Sequence, residues 1–192
     1  MRKLTWAVIA LAGVVGTANA DKLSYSYAEA GAGIVDVDEI DSGDGYFVGG
    51  SVGIGNNWLG FAEYSLGKFD ESGVSADIDE ITIGIGAHFA MTDKVDFVGK
   101  LGYVDTSLEI DSPIGDISAD DNGYMLSAGV RGQATERFEL QGAVEYVDFG
   151  DSDDTGLEIS GQYSFTDMFS LGARAGFSDD TNEYGVYARF TF

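Results

Sequence analysis

The sequence ends in "EYGVYARFTF", residues 183–192, and polarity alternates along this stretch. One set of alternate residues is apolar and comprises Tyr184, Val186, Ala188, Phe190 and Phe192. The other set comprises Gly185, Tyr187, Arg189 and Thr191. Alternation with a period of two is typical of a β-strand with one face in an apolar environment. Chain ends normally fray into water, so a terminal strand this apolar requires both a partner strand and an apolar medium.

The same alternation recurs along the chain in about ten segments, such as "EITIGIGAHFA" (80–90), "VDFVGKLGYV" (95–104) and "FELQGAVEYV" (138–147). The breaks between segments are alternately short and long. Short periplasmic turns and longer extracellular loops give outer-membrane barrels this pattern. We therefore predict an all-β fold, a transmembrane antiparallel up-and-down β-barrel of ten strands. Irregular pairing within the longest break, residues 105–122, would leave eight strands as the alternative.

Aromatic residues cluster at both ends of the predicted strands. Those beside the short turns are Trp58, Phe89, Phe97, Phe138, Phe165, Phe169 and Phe192. Those near the long breaks are Tyr46, Tyr103, Tyr124, Tyr146, Phe177 and Tyr184. Two aromatic belts are expected where a barrel crosses two lipid–water interfaces. A secreted soluble β-sandwich also alternates, but it needs neither the belts nor the regular loop pattern.

Residues 1–20 have the pattern of a secretory signal peptide. "MRK" is positively charged, "LTWAVIALAGVVG" is apolar, and "TANA" places small residues before a predicted cleavage site at Asp21. The apolar run is shorter than the roughly 20 residues that a membrane-spanning helix requires. We predict a signal peptide over residues 1–20 and one barrel domain over residues 21–192.

With these features the chain resembles the small outer-membrane β-barrels of Gram-negative bacteria, of the OmpA transmembrane-domain and OmpX type, a porin-like family. The resemblance covers residues 21–192 and rests on the signal peptide, the repeated strand pattern and the terminal "YARFTF". It implies that the C-terminal strand is a signal read by the barrel-assembly machinery. The residues expected to carry that signal are Tyr184, Val186, Phe190 and Phe192.

The alternation also predicts which charged residues face the lumen. They are Glu29, Glu63, Lys100, Arg131, Glu145, Arg174 and Arg189. Glu29 and Glu63 are placed inward because a carboxylate facing lipid would be costly. The resemblance implies an ion-pair network that plugs the lumen. The alternative is a narrow channel for ions or small solutes, because much of the lumen face is small: Gly49, Ser51, Gly53, Gly84, Gly86, Ser127, Gly129 and Ser160.

The chain is strongly acidic, with 33 Asp and Glu against ten Lys and Arg and a net charge of −23. This balance excludes nucleic acid as a partner held through phosphate contacts. Most of the acids fall in the long breaks, which are predicted to be extracellular. They form either a solvated, repulsive surface or sites for Ca²⁺ or Mg²⁺, which require converging carboxylates. The candidate metal ligands are Asp36, Asp38, Asp41, Asp151, Asp153 and Asp154, although their spacing is not that of an EF-hand.

The only histidine, His88, lies near the predicted periplasmic turn "MTDK" (91–94). A lipid A-modifying enzyme or a barrel protease would need its catalytic groups towards the extracellular end. No "HExxH" or phosphate-loop motif is present, and the "GGSVG" at residues 49–53, which fits the pattern "GxSxG", lies within a predicted strand. We predict a non-enzymatic, monomeric barrel without a resident cofactor. Its expected role is structural, in envelope integrity, with outer-membrane lipid, lipopolysaccharide and the assembly machinery as partners.

Overall fold

The computed structural model describes residues 23–37, 42–71, 74–113, 115–179 and 181–192. The predicted signal peptide lies outside the described residues. The ten strands are β1 (Tyr27–Val37), β2 (Gly43–Ile54), β3 (Trp58–Glu71), β4 (Val74–Thr92), β5 (Val95–Asp111), β6 (Ile117–Gln133), β7 (Phe138–Asp148), β8 (Asp153–Ser164), β9 (Phe169–Phe177) and β10 (Thr181–Thr191). In the described part of the chain, no helix is long and apolar enough to cross a membrane.

The strands form a closed antiparallel barrel in which every strand pairs with its neighbours in sequence and β1 pairs with β10. Along this closing pair, Tyr27 lies opposite Thr191 and Val37 lies opposite Thr181. Closure satisfies the backbone hydrogen bonds of the terminal strands, which an apolar medium would otherwise leave unpaired. The predicted ten-stranded barrel is confirmed, and the eight-stranded alternative is wrong.

The observed burial follows the predicted alternation. On β10, Val186 is 65% exposed and Phe190 is 47% exposed, whereas Tyr187 and Arg189 are each only 6% exposed. The exposed set faces the surroundings of the barrel and the buried set faces its lumen. On β1 the same alternation places Glu29 on the lumen side.

Both aromatic belts are present on the outer face. Trp58 and Phe89 are more than half exposed beside short turns, and Tyr124 is 67% exposed at the opposite end. Rings within the extracellular belt pack edge to face, as Phe177 does against Tyr184 with 5.8 Å between centroids. Such rings are suited to a lipid–water interface because each has an apolar body, and the tyrosines add a polar tip.

Strands β4, β5 and β6 are longer than a membrane crossing requires. They contain 19, 17 and 17 residues, whereas a tilted transmembrane strand needs about 9–11. Much of the predicted loop 105–122 is therefore strand, with Thr106 opposite Asp121. Alternation continues in this region. Ile78 and Leu108 form an inward pair, whereas the outer face is acidic and contacts water. Residues 117–123 pair with β5 alone, since β7 ends at Asp148, opposite Tyr124.

Large side chains fill much of the lumen. Buried apolar residues facing inward include Phe47, Leu59, Phe69, Val104, Met125 and Tyr187. Space beside Gly84 and Gly86, which the sequence suggested was open, is occupied by Phe61 and Leu59, respectively. The lumen glycines are therefore positions where a neighbouring side chain or strand approaches closely.

Candidate functional site in the barrel lumen

Arg189 lies at the centre of the lumen charges. Its Nη2 lies 2.6 Å from Glu29 Oε2, and its Nε donates a hydrogen bond of 2.7 Å to the same oxygen. Its Nη1 lies 3.7 Å from Glu139 Oε1. The guanidinium carbon also lies 3.9 Å from the centroid of the Tyr27 ring. A planar guanidinium can engage two carboxylates and an aromatic face together.

Arg131 on β6 forms the second ion pair, with 2.7 Å between its Nε and Glu139 Oε1. Arg131 is 4% exposed, so this charge is almost fully enclosed. The same Glu139 oxygen accepts a hydrogen bond from Gln162 Nε2, and the Tyr187 hydroxyl donates to Gln162 Oε1. These hydrogen bonds tie β6, β7, β8 and β10 together across the lumen.

Arg174 on β9 forms a third pair nearer the extracellular side, with 3.2 Å between its Nη1 and Glu63 Oε1 on β3. Its guanidinium carbon lies 3.5 Å from the centroid of the Phe47 ring. β9 and β3 are four steps apart in the ring of ten strands. The pair therefore spans the lumen, unlike a contact between neighbouring strands.

Lys100 and Glu145 are not in ion pairs within the described residues. The register places Lys100, Ser127 and Glu145 side by side on β5, β6 and β7. The Lys100 ammonium lies 5.2 Å from the centroid of the Phe61 ring. Of the seven predicted lumen charges, the structure brings together Glu29 with Arg189 and Glu63 with Arg174.

The sequence interpretation omitted several lumen carboxylates, among them Glu139 and Glu158. Glu139 is shared by Arg131 and Arg189, and Glu158 accepts a hydrogen bond of 3.5 Å from Gln141 Nε2. The alternation already contained this signal, because Glu139 lies between outward Phe138 and Leu140. Applying the period to every residue of β7 and β8 identifies both carboxylates.

His88 lies at the periplasmic end of β4. Its Nδ1 lies 3.3 Å from Asp96 Oδ2 on β5, and its ring stacks on Tyr25 with 3.9 Å between centroids. The Tyr25 hydroxyl donates a hydrogen bond of 2.9 Å to the same Asp96 oxygen. His88 is therefore part of a polar and aromatic cluster at the periplasmic mouth.

The remaining free space in the lumen is divided. A central cavity of about 60 Å³ lies among Glu29, Glu63, Lys100 and Arg189. Towards the extracellular side, a cavity of about 320 Å³ is lined by several carboxylates, including Glu80 and Glu183. At the periplasmic end a cavity of about 290 Å³ is lined by Arg131, Glu139 and other polar residues. The central cavity is thus smaller than the cavity at either mouth.

The predicted metal ligands do not converge where they are described. Asp151 between β7 and β8 is exposed, as are Asp153 and Asp154 at the start of β8. Asp36 accepts a long hydrogen bond from Ser42. Among the described residues no group of three or more His, Asp or Glu side chains could hold a metal ion. Asp38 and Asp41 lie outside the described residues.

The C-terminal residues form the seam of the barrel. Tyr184, Val186 and Phe190 are exposed on the outer face of β10. Phe192 follows the strand, and its backbone N–H donates a hydrogen bond of 3.1 Å to the Ser26 carbonyl oxygen.

A closed antiparallel barrel with an apolar outer face, two aromatic belts and a charged interior defines an integral outer-membrane β-barrel. The family model described as "Outer membrane protein beta-barrel domain" matches residues 6–157, and the chain belongs to this family. The protein is accordingly a bacterial outer-membrane protein, as the resemblance implied.

The chain is similar to several solved structures at low sequence identity. The NanC porin is 11% identical with a TM-score of 0.55, over 86% of this chain and 100% of that chain. Neisserial surface protein A is 13% identical with a TM-score of 0.50, over 88% and 98% of the two chains. Ail of Yersinia pestis, the attachment invasion locus protein, is 16% identical with a TM-score of 0.47, over 87% and 100%. No curated relative matches the chain.

Proposed function

We propose that this protein is a structural component of the outer membrane that contributes to envelope integrity, with its lumen closed by ion pairs and aromatic rings. The observation that supports this most directly is Arg189, which is 6% exposed and contacts Glu29 and Glu139. Enclosed charges held in this way favour one packed arrangement, because separating them leaves an unpaired charge at a cost of several kcal/mol.

Packing around the ion pairs supports the same proposal. Phe47 packs against the Arg174 guanidinium. The centroid of the Phe47 ring also lies 6.4 Å from the centroid of the Tyr187 ring. The central cavity of about 60 Å³ is smaller than the cavities at the two mouths, of about 320 and 290 Å³. On this proposal, a continuous hydrated path through the lumen requires Arg189 or Arg174 to move.

Conductance of the refolded protein in planar lipid bilayers tests the closed lumen. We expect no steady ion current above that of a protein-free bilayer. The variant Tyr163→Ala should give no steady current either, because Tyr163 lies on the outer face, where it is 43% exposed, and not in the lumen. Reproducible single-channel steps from the unaltered protein would contradict the proposal.

A narrow channel is the second candidate function. It is favoured by the extracellular cavity of about 320 Å³, whose lining includes Glu63, Glu80, Glu145, Glu158 and Glu183 with one arginine, Arg174. Such a mouth attracts cations and repels anions. If single-channel steps are observed, this candidate predicts cation selectivity, measured as the reversal potential in a salt gradient. An anion-selective current would contradict it.

Interactions with the envelope complete the proposal. The outward acids of β4 and β5, such as Asp77 and Glu109, lie beyond the outward Ile81. Divalent cations could link such carboxylates to lipopolysaccharide phosphates. Titration calorimetry with Ca²⁺ in detergent tests this link, and absence of heat at millimolar Ca²⁺ would contradict it.

We further propose a monomeric, non-enzymatic barrel in which His88 packs against Tyr25 and Asp96.

A further inference from the structure

We propose that the segment Leu23–Ser26 is a releasable strap that seals the periplasmic mouth of the lumen and that Tyr25 is its latch. This inference rests on the closed lumen proposed above and names the element that closes its lower end. The strap precedes β1 and pairs with neither neighbouring strand as part of a ladder. It nevertheless contains one of the most enclosed aromatic side chains of the described residues, with Tyr25 7% exposed.

Tyr25 reaches the opposite wall of the barrel. It emerges at the base of β1, whose neighbours in the ring are β2 and β10. Its hydroxyl donates to Asp96 on β5, and its ring stacks on His88 of β4 with an interplanar angle of 21°. The guanidinium carbon of Arg131 on β6 lies 4.8 Å from the centroid of the Tyr25 ring. In a ring of ten strands, β6 is diametrically opposite β1, so the side chain crosses the mouth.

Ser26 anchors the strap where it turns into the lumen. Its hydroxyl oxygen accepts a hydrogen bond of 3.1 Å from the Gly53 N–H on β2. Its carbonyl oxygen accepts one from the N–H of Phe192, at the other end of the chain. The anchor thus holds the base of the strap to both neighbours of β1, while the Tyr25 side chain joins the strap to β4, β5 and β6.

The arrangement makes the strap separable from the barrel. Releasing Tyr25 breaks one side-chain hydrogen bond, one ring stack and one cation–π contact, and it leaves the ladders of β1 with β2 and β10 intact. Leu23 and Ser24 line the periplasmic cavity of about 290 Å³ beside Arg131 and Glu139. Removing the strap would therefore expose the lower ion pairs of the lumen to periplasmic solutes without unfolding the barrel.

The reactivity of a single cysteine introduced at position 51 measures whether the strap closes the periplasmic mouth. Ser51 is 2% exposed and faces the lumen on β2, two residues from Gly53, where an added Cβ would lie 3.8 Å from Tyr25. Its hydroxyl has no hydrogen-bond partner among the described residues, so Ser51→Cys removes no hydrogen bond there. The natural sequence has no cysteine, so a small cationic methanethiosulfonate reagent can modify only this introduced thiol.

The experiment compares modification rates of Ser51→Cys with and without Tyr25→Ala in the folded barrel. We expect Tyr25→Ala to raise the rate at least tenfold, and the outward control Tyr163→Ala to leave it unchanged. Tyr25→Phe removes only the hydrogen bond to Asp96 and should give an intermediate rate. Equal modification rates with and without Tyr25→Ala would overturn the proposal that the strap closes the mouth. Rapid modification while Tyr25 is present would also overturn it.

Hydrogen exchange of the unaltered protein provides a test that does not depend on the folding of any variant. Amides of the strap should exchange at least tenfold faster than the ladder amides of β1, because the strap opens separately. Equal protection of the two would overturn its release. Steady current from the unaltered barrel would contradict the closed lumen itself, whereas equal labelling rates in a non-conducting barrel would contradict the strap alone.

Discussion

Arg189 on the last strand lies directly opposite Glu29 on the first strand in the β1–β10 register, with 2.6 Å between Nη2 and Oε2. The ion pair therefore sits on the seam where the two ends of the chain meet. Both side chains are largely enclosed, at 7% and 12% exposure. The contact joins strands that are 160 residues apart in sequence, so it stabilises closure of the whole barrel.

Replacing Arg189 with alanine should lower the free energy of unfolding by about 3–5 kcal/mol, because Glu29 is left as an enclosed carboxylate without its partner. Thermal or urea unfolding of the refolded barrel in detergent measures the loss. The control Lys68→Ala breaks the pair with Asp77, whose side chains are 47% and 43% exposed, and should cost at most about 1 kcal/mol. Unchanged melting of Arg189→Ala together with altered single-channel current would favour the channel function.

The variant Gly172→Ala should destabilise the barrel by about 1–3 kcal/mol through overpacking. An added Cβ at Gly172 would overlap the Tyr187 ring and approach the Gly161 carbonyl oxygen. Gly142→Ala is the matched control, since the nearest atom to its Cβ would be 3.9 Å away. Both variants are compared by urea unfolding. Equal stabilities of the two variants would show that the Tyr187 ring moves freely, and they would contradict the inference that the lumen is closely packed.

The free-energy cost of an arginine on the outer face of β4 should depend on whether the position faces lipid or water. Ile85 is 55% exposed between the two aromatic belts, so Ile85→Arg should cost about 2–4 kcal/mol in a bilayer. Ser75→Arg lies on the same face beyond the membrane, opposite Asp70 and Asp111, and should be nearly neutral. Folding equilibria in lipid vesicles measure both. Similar costs at the two positions would contradict the extension of β4 above the membrane.

Phe192→Ala should impair assembly in cells more than folding in vitro. The side chain belongs to the proposed assembly signal, while its backbone N–H keeps the hydrogen bond to Ser26. We expect less folded barrel in the outer membrane, measured by heat-modifiable gel mobility, and unchanged refolding in detergent. Phe165→Ala, an outward control in the same belt and 52% exposed, should assemble normally. Equal impairment of both variants would indicate a general effect of the belt.

Periodicity made most of the barrel wall predictable. Residues such as Val186 and Arg189 differ by an odd number of positions, and on a strand this places them on opposite faces. The long extracellular strands escaped prediction because the outer face of β4 changes from isoleucines to Asp77 and Asp79, where lipid gives way to water. The pattern continues there with altered chemistry, and a search for alternating hydrophobic residues interprets it as a loop.

The lumen was only partly predictable. Alternation assigned Arg131 to the interior, but it could not choose Glu139 as its partner from several inward carboxylates. That choice depends on strand tilt and on the size of neighbouring groups, such as the rings beside Gly31 and Gly172. Tyr25 was missed because it lies in the first segment, where the alternation is weak, and no local pattern reports its contacts.

The sequence by itself determined that this chain is an outer-membrane barrel and which face of most strands meets lipid, because both follow from a local period of two and from the chemistry of the two environments. Only the tertiary structure decided that Arg189 bridges Glu29 and Glu139, that Arg174 reaches Glu63, and that Tyr25 crosses the periplasmic mouth. These contacts join residues from distant strands, and their geometry exists only after the barrel has closed.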